Sequence, residues 1–398
     1  MKIVAIVAEY NPFHYGHLHQ IETIRKTFGE DTAIIAVMSG NYTQRGELAL
    51  MNKVERAKCA LACGVNLVLE LPFPFSMSSA EHFANAAVHI IHSLGVVDVL
   101  SFGSECGSLE ILKTACKRLN QPEFLSRRQN LIQQNKKIGY ASANETVYRQ
   151  LYGEDGFVFS SNNILSLMYL QALDRLNSNI LPHTLKRVGN AYNDISLDSR
   201  IASASAIREG IYKNTEGVFD YCPLPVKKQL MDAMEKGDLL LSTSRLDSAV
   251  LSHLLLNTSS SCPVHEGEDG LYNRLLKSVQ KASSIPDLIT LSETKKYTTA
   301  RIRRVLWNSI IGVTSSNVKT LPCFTQLLAS DSLGQAILKR TKKTAKIQIL
   351  TKPTRYNKQN LLLKSQVEMS HKMDMLYAIA LGHPSSEALT YTPFIKVD

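Results

Sequence analysis

The chain has 398 residues, 44% hydrophobic and 20% charged, a globular composition too long for one small core. Lys plus Arg number 45 against 35 Asp plus Glu, a net +10 that is compatible with a polyanionic partner but shared by many enzymes. Seven cysteines without a C-x-x-C pair argue against a disulfide framework or a standard zinc site. No secretory leader pattern is present and no apolar run reaches the ~18 residues of a membrane span, so a cytoplasmic protein is expected.

The first element is an apolar, β-branched run over Val4 to Ala8 that stops in Glu9-Tyr10-Asn11-Pro12-Phe13-His14, with helical spacing from about His17 to Phe28. Pro12 biases Asn11 away from helical geometry, so a strand passes through a turn into a helix. A helix start exposes unpaired N–H groups and the positive end of its dipole, which suits an anion. Gly16 lets the backbone approach a ligand closely, while His14 and His17 can donate to phosphate oxygens. The reading is a cradle for ATP phosphates. H-x-x-H leaves two alternatives open, a metal pair or histidines that only cap the turn.

Thr32 to Met38 reads as a second strand, followed by a polar loop from Ser39 to Glu47. Lys53 to Cys63 is helical, with Cys59 and Cys63 on one buried face; Val65 to Pro72 is a strand, Ser79 to Leu94 a helix and Val96 to Phe102 a fourth strand. This alternation predicts an α/β fold: a Rossmann-like parallel sheet with helices on both faces and ligands at the carboxyl ends of its strands. The loops there carry His14 and His17, then Gln44 and Arg45, then Glu70, then Gly103-Ser104-Glu105. Arg45 and Gln44 could hold a carboxylate or phosphate. Glu70 lies in an apolar strand end and needs a partner.

Ile111 to Tyr152 is helical, with Lys136 and Lys137 on solvated faces. A further helix begins near Ser160-Ser161-Asn162-Asn163, where Ser161 or Asn162 can cap it. Leu181 to Val188 is the last core strand and ends in Lys186-Arg187. The segment from Ile201 to Arg208 has serines at a helix start, Ser205 among them, and Arg208 one turn in, which suits bound phosphate. From about Gly217 amphipathic helices take over: Pro223 to Leu239, Ser244 to Leu256, Tyr272 to Ala282 and Thr298 to Ile311, with a loop at Thr258 to Ser261 before Pro263. The expected division is residues 1–215 as the nucleotide domain and 216–398 as a mainly α-helical basic domain. Arg301, Arg303, Arg304, Lys342 and Lys343, with Tyr297, Trp307 and Tyr356 among the charges, form its expected RNA surface.

Taken together, His14-Tyr15-Gly16-His17 and the late Ser203-x-Ser205-x-x-Arg208 resemble the HIGH-motif nucleotidyltransferase superfamily. Met38-Ser39-Gly40-Asn41, Gln44-Arg45-Gly46-Glu47, Glu70-Leu71-Pro72, Phe102 to Glu105 and Asn162 to Leu165 narrow this to the bacterial tRNA(Met) cytidine acetate ligase family. The resemblance implies that ATP activates acetate as acetyl-adenylate with release of pyrophosphate. The wobble cytidine of elongator tRNA(Met) then attacks through its exocyclic amine, leaving N4-acetylcytidine and AMP. It implies ATP contacts on Val7, Ala8, Glu9, Tyr10, Asn11, Pro12, Phe13, His14, Tyr15, Gly16, His17, Leu18, His19 and Gln20, then on Gly103, Asn162 (or its neighbour Asn163) and Arg187. His14 and His17 would stabilise charge at the α-phosphate, and Mg2+ is expected to accompany ATP. Leu48-Ala49 stands where relatives often carry proline, and Ser205 where threonine is usual; neither removes a needed group. Acetate, cytidine and the choice of tRNA come from the resemblance alone, so a small-molecule nucleotidyltransferase and a non-catalytic RNA-binding protein remain the alternatives.

Overall fold

The computed structural model describes residues 1–135, 138–187, 202–256, 264–390 and 392–396. Five strands, β1 (Ile3–Ala8), β2 (Ala33–Ser39), β3 (Leu67–Leu71), β4 (Val99–Ser104) and β5 (Leu181–Lys186), run parallel in the order β5-β4-β1-β2-β3. The chain moves outward from β1 through α1 (Tyr15–Phe28), α2 (Lys53–Ala62) and α3 (Ala80–Leu94), then returns to lay β4 on the other side of β1. Four helices, α4 (Leu109–Leu119), α5 (Pro122–Gln134), α6 (Tyr140–Tyr152) and α7 (Ser161–Arg175), separate β4 from β5. The strand order therefore reverses between β1 and β4, and a crevice opens outside their carboxyl ends.

Near-continuous apolar runs form β1, β2 and β3 because both sheet faces are covered there, whereas β5, at the sheet edge, is partly exposed and carries Pro182, His183 and Thr184. Ile3 and Ala5 of β1 join one core with α3, α4 and α7, while Val4 and Ile6 join a second core with α1 and α2. The second core is completed by α8 (Ala204–Tyr212) and α9 (Leu224–Lys236). Cys59 and Cys63 are buried there as small apolar groups.

The second half contains α10 (Asp247–Leu256), α11 (Leu271–Ser278), α12 (Ile285–Ser292), α13 (Thr299–Ile311), α14 (Ser315–Lys319), α15 (Ser332–Thr344) and α16 (Leu361–Leu381). A third core gathers α10 to α13 and α16 around Trp307, and takes in Tyr42, Leu48, Phe73 and Met77 from the first half. Three strands in this half are absent from the sequence reading: β6 (Phe324–Ser330), β7 (Gln348–Leu350) and β8 (Phe394–Ile395). β6 pairs antiparallel with β3, and β7 and β8 run parallel to β6, so the chain re-enters the first sheet after its helical excursion. The pattern hides β6 because its buried residues include Thr325, Gln326 and Ser330; Thr325 Oγ1 donates to the Glu70 carbonyl at 2.6 Å. After β6, Gly334 of α15 is a steric necessity, since a Cβ there would fall 2.0 Å from the Asn66 carbonyl oxygen. Val188 and Ile201, Lys136 and Lys137, and the loop at 258–261 with Pro263 lie outside the described residues.

Candidate active site

The crevice at the β1/β4 reversal holds a cavity of about 190 Å³. Its floor is the end of β1 and the turn beyond it, where Tyr10 adopts φ +49°, a left-handed conformation that a non-glycine residue rarely takes. Its walls bring together residues far apart in sequence: His14 and His17, Gln44 and Arg45, Gly103, Asn162, Arg187, and Ser205 with Arg208. Of the run from Val7 to Gln20, the cavity is lined by Val7, Ala8, Glu9, Tyr10, Asn11, His14, His17 and Gln20. Phe13 is instead fully buried in the second core, Leu18 packs against it, and Tyr15 is exposed as the first residue of α1. Pro12, Gly16 and His19 are not among the lining residues either.

The two histidines are a helix cap and cavity walls at once. His14 is the N-cap of α1 and its Nδ1 accepts the Gly16 N–H at 3.0 Å; His17 Nδ1 accepts the His14 N–H at 3.2 Å. The ring centroids lie 3.8 Å apart with the planes tilted by 35°. Because each Nδ1 accepts, the proton of each neutral ring resides on Nε2. Burial, then the charges of Arg187 and Arg208, lowers the His14 pKa to about 3. Burial, then His14 and Arg187, holds His17 well below its ordinary value. The pair thus presents neutral Nε2–H donors, and the positive charge in the cavity comes from the arginines. Neutral Nε2–H groups can act on a ligand as N–H dipoles and not as full charges.

Gly103 lies on β4 where an added Cβ would come 3.1 Å from Arg187 Cγ, so the absence of a side chain keeps the wall open beside that arginine. The neighbouring asparagines have separate tasks. Asn163 is buried and its Oδ1 accepts the N–H groups of Glu105 and Cys106 at 2.9 and 3.2 Å, which fixes the end of β4. Asn162 lines the cavity and donates through Nδ2 to Glu105 at 2.6 Å. Glu105 also accepts from Ser160 Oγ at 2.5 Å and Asn163 N at 2.8 Å, so its carboxylate sits on the start of α7. Ser160, one residue before the expected cap, is the N-cap.

Arg208 also lines the cavity. Its Nη1 donates to the Asn11 carbonyl at 2.7 Å and its Nη2 to Glu47 Oε2 at 2.7 Å. Ser203 caps α8 by accepting the Ala206 N–H, which leaves Ser205 on the cavity side. Glu47 is a residue for which sequence reasoning supplied no role: its other oxygen accepts from Arg303 Nη1 at 2.6 Å, making a chain Arg208, Glu47, Arg303. That chain borders a larger cleft of about 680 Å³ toward α12 and the loop at 240–247, which shares Ser205 and Arg208 with the first cavity.

α13 holds the loop after β2 in place. Arg304 donates to both oxygens of Glu266 at 2.7 to 3.1 Å and to the Gln44 carbonyl at 3.4 Å, and Trp307 Nε1 donates to the Gly46 carbonyl at 3.1 Å. Gln44 in turn donates its N–H to Glu9 Oε1 at 2.7 Å. The cations expected to form one RNA surface are accordingly divided. Arg301 pairs with Asp269, Arg303 with Glu47 and Arg304 with Glu266, whereas Lys342 and Lys343 are exposed at the end of α15, where Thr344 meets Gly95 at the end of α3 opposite to Ala80 and Phe83, which line the cavity. Trp307 is 2% exposed and belongs to the core. Glu70 does not reach the cavity; its partners are Lys53 and, through that lysine, Asp374.

Among the described residues no helix is long and apolar enough to cross a membrane. A model of the HIGH Nucleotidyl Transferase family matches residues 1–390. A tRNA(Met) cytidine acetate ligase of Thermoanaerobacter sp. (strain X514) is 34% identical over 100% of both chains, and one of Acetivibrio thermocellus is 32% identical over 97% of this chain and 96% of its own. Two crystal structures of Thermotoga maritima TmcAL, one apo and one bound with alpha-thio ATP, superpose with TM-scores of 0.90 and 0.88 at 29% identity over the full length of both chains. The chain belongs to the HIGH Nucleotidyl Transferase family and, within it, to the tRNA(Met) cytidine acetate ligases.

Proposed function

We infer that the protein is an ATP-dependent ligase that converts acetate to acetyl-adenylate and transfers the acetyl group to N4 of the wobble cytidine of elongator tRNA(Met), in the cytoplasm where both substrates occur. The observation that carries the reading is the pair of Nε2–H donors, set at the start of α1 between Arg187 and Arg208 at the strand-order reversal. Attack of a carboxylate oxygen on the α-phosphate moves charge onto the bridging and leaving oxygens. Fixed N–H dipoles and guanidinium groups stabilise that charge without reorganising. Asn162 and the open wall at Gly103 suit the nucleoside, and Arg187 and Arg208 the phosphates.

Among the described residues there is no cluster of three or more His, Cys, Asp or Glu that would hold an ion unaided. Mg2+ would therefore travel on the triphosphate, which already supplies hard oxygen ligands. Lys342 and Lys343 are the exposed members of the proposed RNA surface; Arg301 and Arg303 are half-buried, and Arg303 lines the larger cleft.

The test is incubation with ATP, radiolabelled acetate and total tRNA, followed by digestion to nucleosides. Label is expected in N4-acetylcytidine and only when tRNA is present; label in a small metabolite without tRNA would replace this reading by a small-molecule nucleotidyltransferase. His17→Ala should abolish acetate-dependent ATP–pyrophosphate exchange at a cost in stability of about 1 kcal/mol, the value of a lost cap contact. Near-normal exchange would remove His17 from the mechanism.

A further inference from the structure

Acetyl transfer needs a proton acceptor, and adenylation does not. In adenylation a carboxylate oxygen displaces pyrophosphate and no proton leaves the nucleophile. In the transfer step an N–C bond forms between the cytosine amine and the acetyl carbon, the C–O bond to AMP breaks, and one proton must leave nitrogen. The side chains around the cavity narrow the choice of acceptor. His14 and His17 carry their protons on Nε2, with each Nδ1 occupied by a backbone N–H. Arg45, Arg187 and Arg208 are already protonated, and burial raises the Tyr10 and Tyr169 phenols, so they hold their protons.

Glu9 is the one carboxylate among the described residues lining the cavity. It stands at the end of β1, directly before the histidine turn, and its Oε1 accepts the Gln44 N–H at 2.7 Å. That bond, with Gln44 itself held by Arg304, fixes the carboxylate and leaves it with acceptor capacity. A negative group opposes triphosphate binding, whereas the second step has use for a proton acceptor at this place. We propose that Glu9 is the general base of acetyl transfer, accepting the N4 proton of the attacking cytidine. This rests on the activity inferred above.

The surroundings suit that task. Burial raises the proton affinity of Glu9 above that of an ordinary glutamate; the Gln44 N–H and the charges of Arg208 and Arg56 pull the other way, and Glu47 adds repulsion. Tyr169 of α7 feels the same carboxylate. A base with raised affinity accepts a proton more readily near neutral pH than a free carboxylate does.

The experiment is a single-turnover assay in which enzyme preloaded with acetyl-adenylate is mixed with tRNA(Met) across a pH series. The wild-type rate should fall on the acid side as Glu9 becomes protonated. Glu9→Gln retains an acceptor for the Gln44 N–H, and should slow transfer about 100-fold and abolish the acid limb, with a much smaller change in ATP–pyrophosphate exchange. Glu9→Asp should transfer slowly with the acid limb preserved, which separates a displaced base from a misfolded site. Wild-type transfer rates in Glu9→Gln, or equal losses of exchange and transfer in both variants, would overturn the assignment. Failure of the wild type to form any acetylated nucleoside would overturn the inferred activity together with it.

Discussion

Replacing Lys53 by Met tests how the helical half is fastened to the sheet. Lys53 Nζ lies 2.9 and 2.8 Å from the two Glu70 oxygens of β3 and 2.6 Å from Asp374 Oδ2 of α16. Side-chain exposures of 3%, 4% and 7% put all three groups out of water. Methionine keeps the length and removes the charge, leaving two carboxylates that share one buried space. Breaking a buried ion pair from one side costs about 3–5 kcal/mol, against a typical total stability of about 5–15 kcal/mol. The pH dependence sharpens the test. Burial raises the Glu70 pKa to about 7, with Lys53 pulling it down and Asp374 pushing it up. Between the ordinary carboxyl value and that one, the folded state binds more protons than the unfolded state, so stability falls as pH rises through the window and levels off above it. Without Lys53 the proton affinity climbs further and the decline extends to higher pH. Urea midpoints at about pH 5.5 and about pH 8 should therefore show the larger deficit at the higher pH. A deficit under about 1 kcal/mol, or the same deficit at both pH values, would refute the claim that Lys53 compensates both carboxylates.

Three other variants separate stability from ligand binding. Arg304→Ala should cost about 3 kcal/mol in thermal or urea unfolding, because it strands the Glu266 carboxylate, which like Arg304 is only 10% exposed. Any loss of tRNA binding in that variant would accompany the loss of fold. Lys342→Ala with Lys343→Ala should leave stability within about 0.5 kcal/mol and reduce the slope of log affinity against log salt by about 1 to 2. An unchanged slope would take these lysines out of the RNA contact. Gly103→Ala places a methyl group 3.1 Å from Arg187 Cγ, and should weaken ATP binding about fivefold, or about 1 kcal/mol, in a direct titration. Unaltered affinity would mean that the wall beside β4 is not approached by the nucleotide.

The first three strands were legible because a doubly covered parallel sheet demands apolar residues at nearly every strand position, as in Ile34-Ile35-Ala36-Val37-Met38, while β4 and the half-exposed edge strand β5 carry that pattern less fully. β6 was not legible, because burial there is achieved with paired polar groups and the Thr325 hydroxyl is satisfied by a carbonyl 255 residues away. The same blindness explains the basic cluster. Arg301, Arg303 and Arg304 look like a polyanion surface in the sequence, yet Arg303 finds its carboxylate in Glu47, 256 positions earlier. A local pattern records which residues carry charge and not which charges are already answered. Asn162 and Asn163 show the residual ambiguity at the smallest scale: adjacent helix positions differ by about 100° in direction, so one can face the cavity while the other holds β4.

In the histidine motif a helix cap and the proposed phosphate contact are compatible. An imidazole has two ring nitrogens, and in His14 and His17 one of them accepts a backbone N–H at the start of α1. Protonating either ring at that nitrogen would break its cap bond, so the fold itself opposes the imidazolium, in the same direction as burial. In the neutral ring the other nitrogen, Nε2, then carries the hydrogen. Both rings are therefore held toward the neutral form, in which Nε2 carries the hydrogen. An acid limb in acetyl transfer has to originate elsewhere in the cavity, and Glu9 is the carboxylate positioned there to produce it.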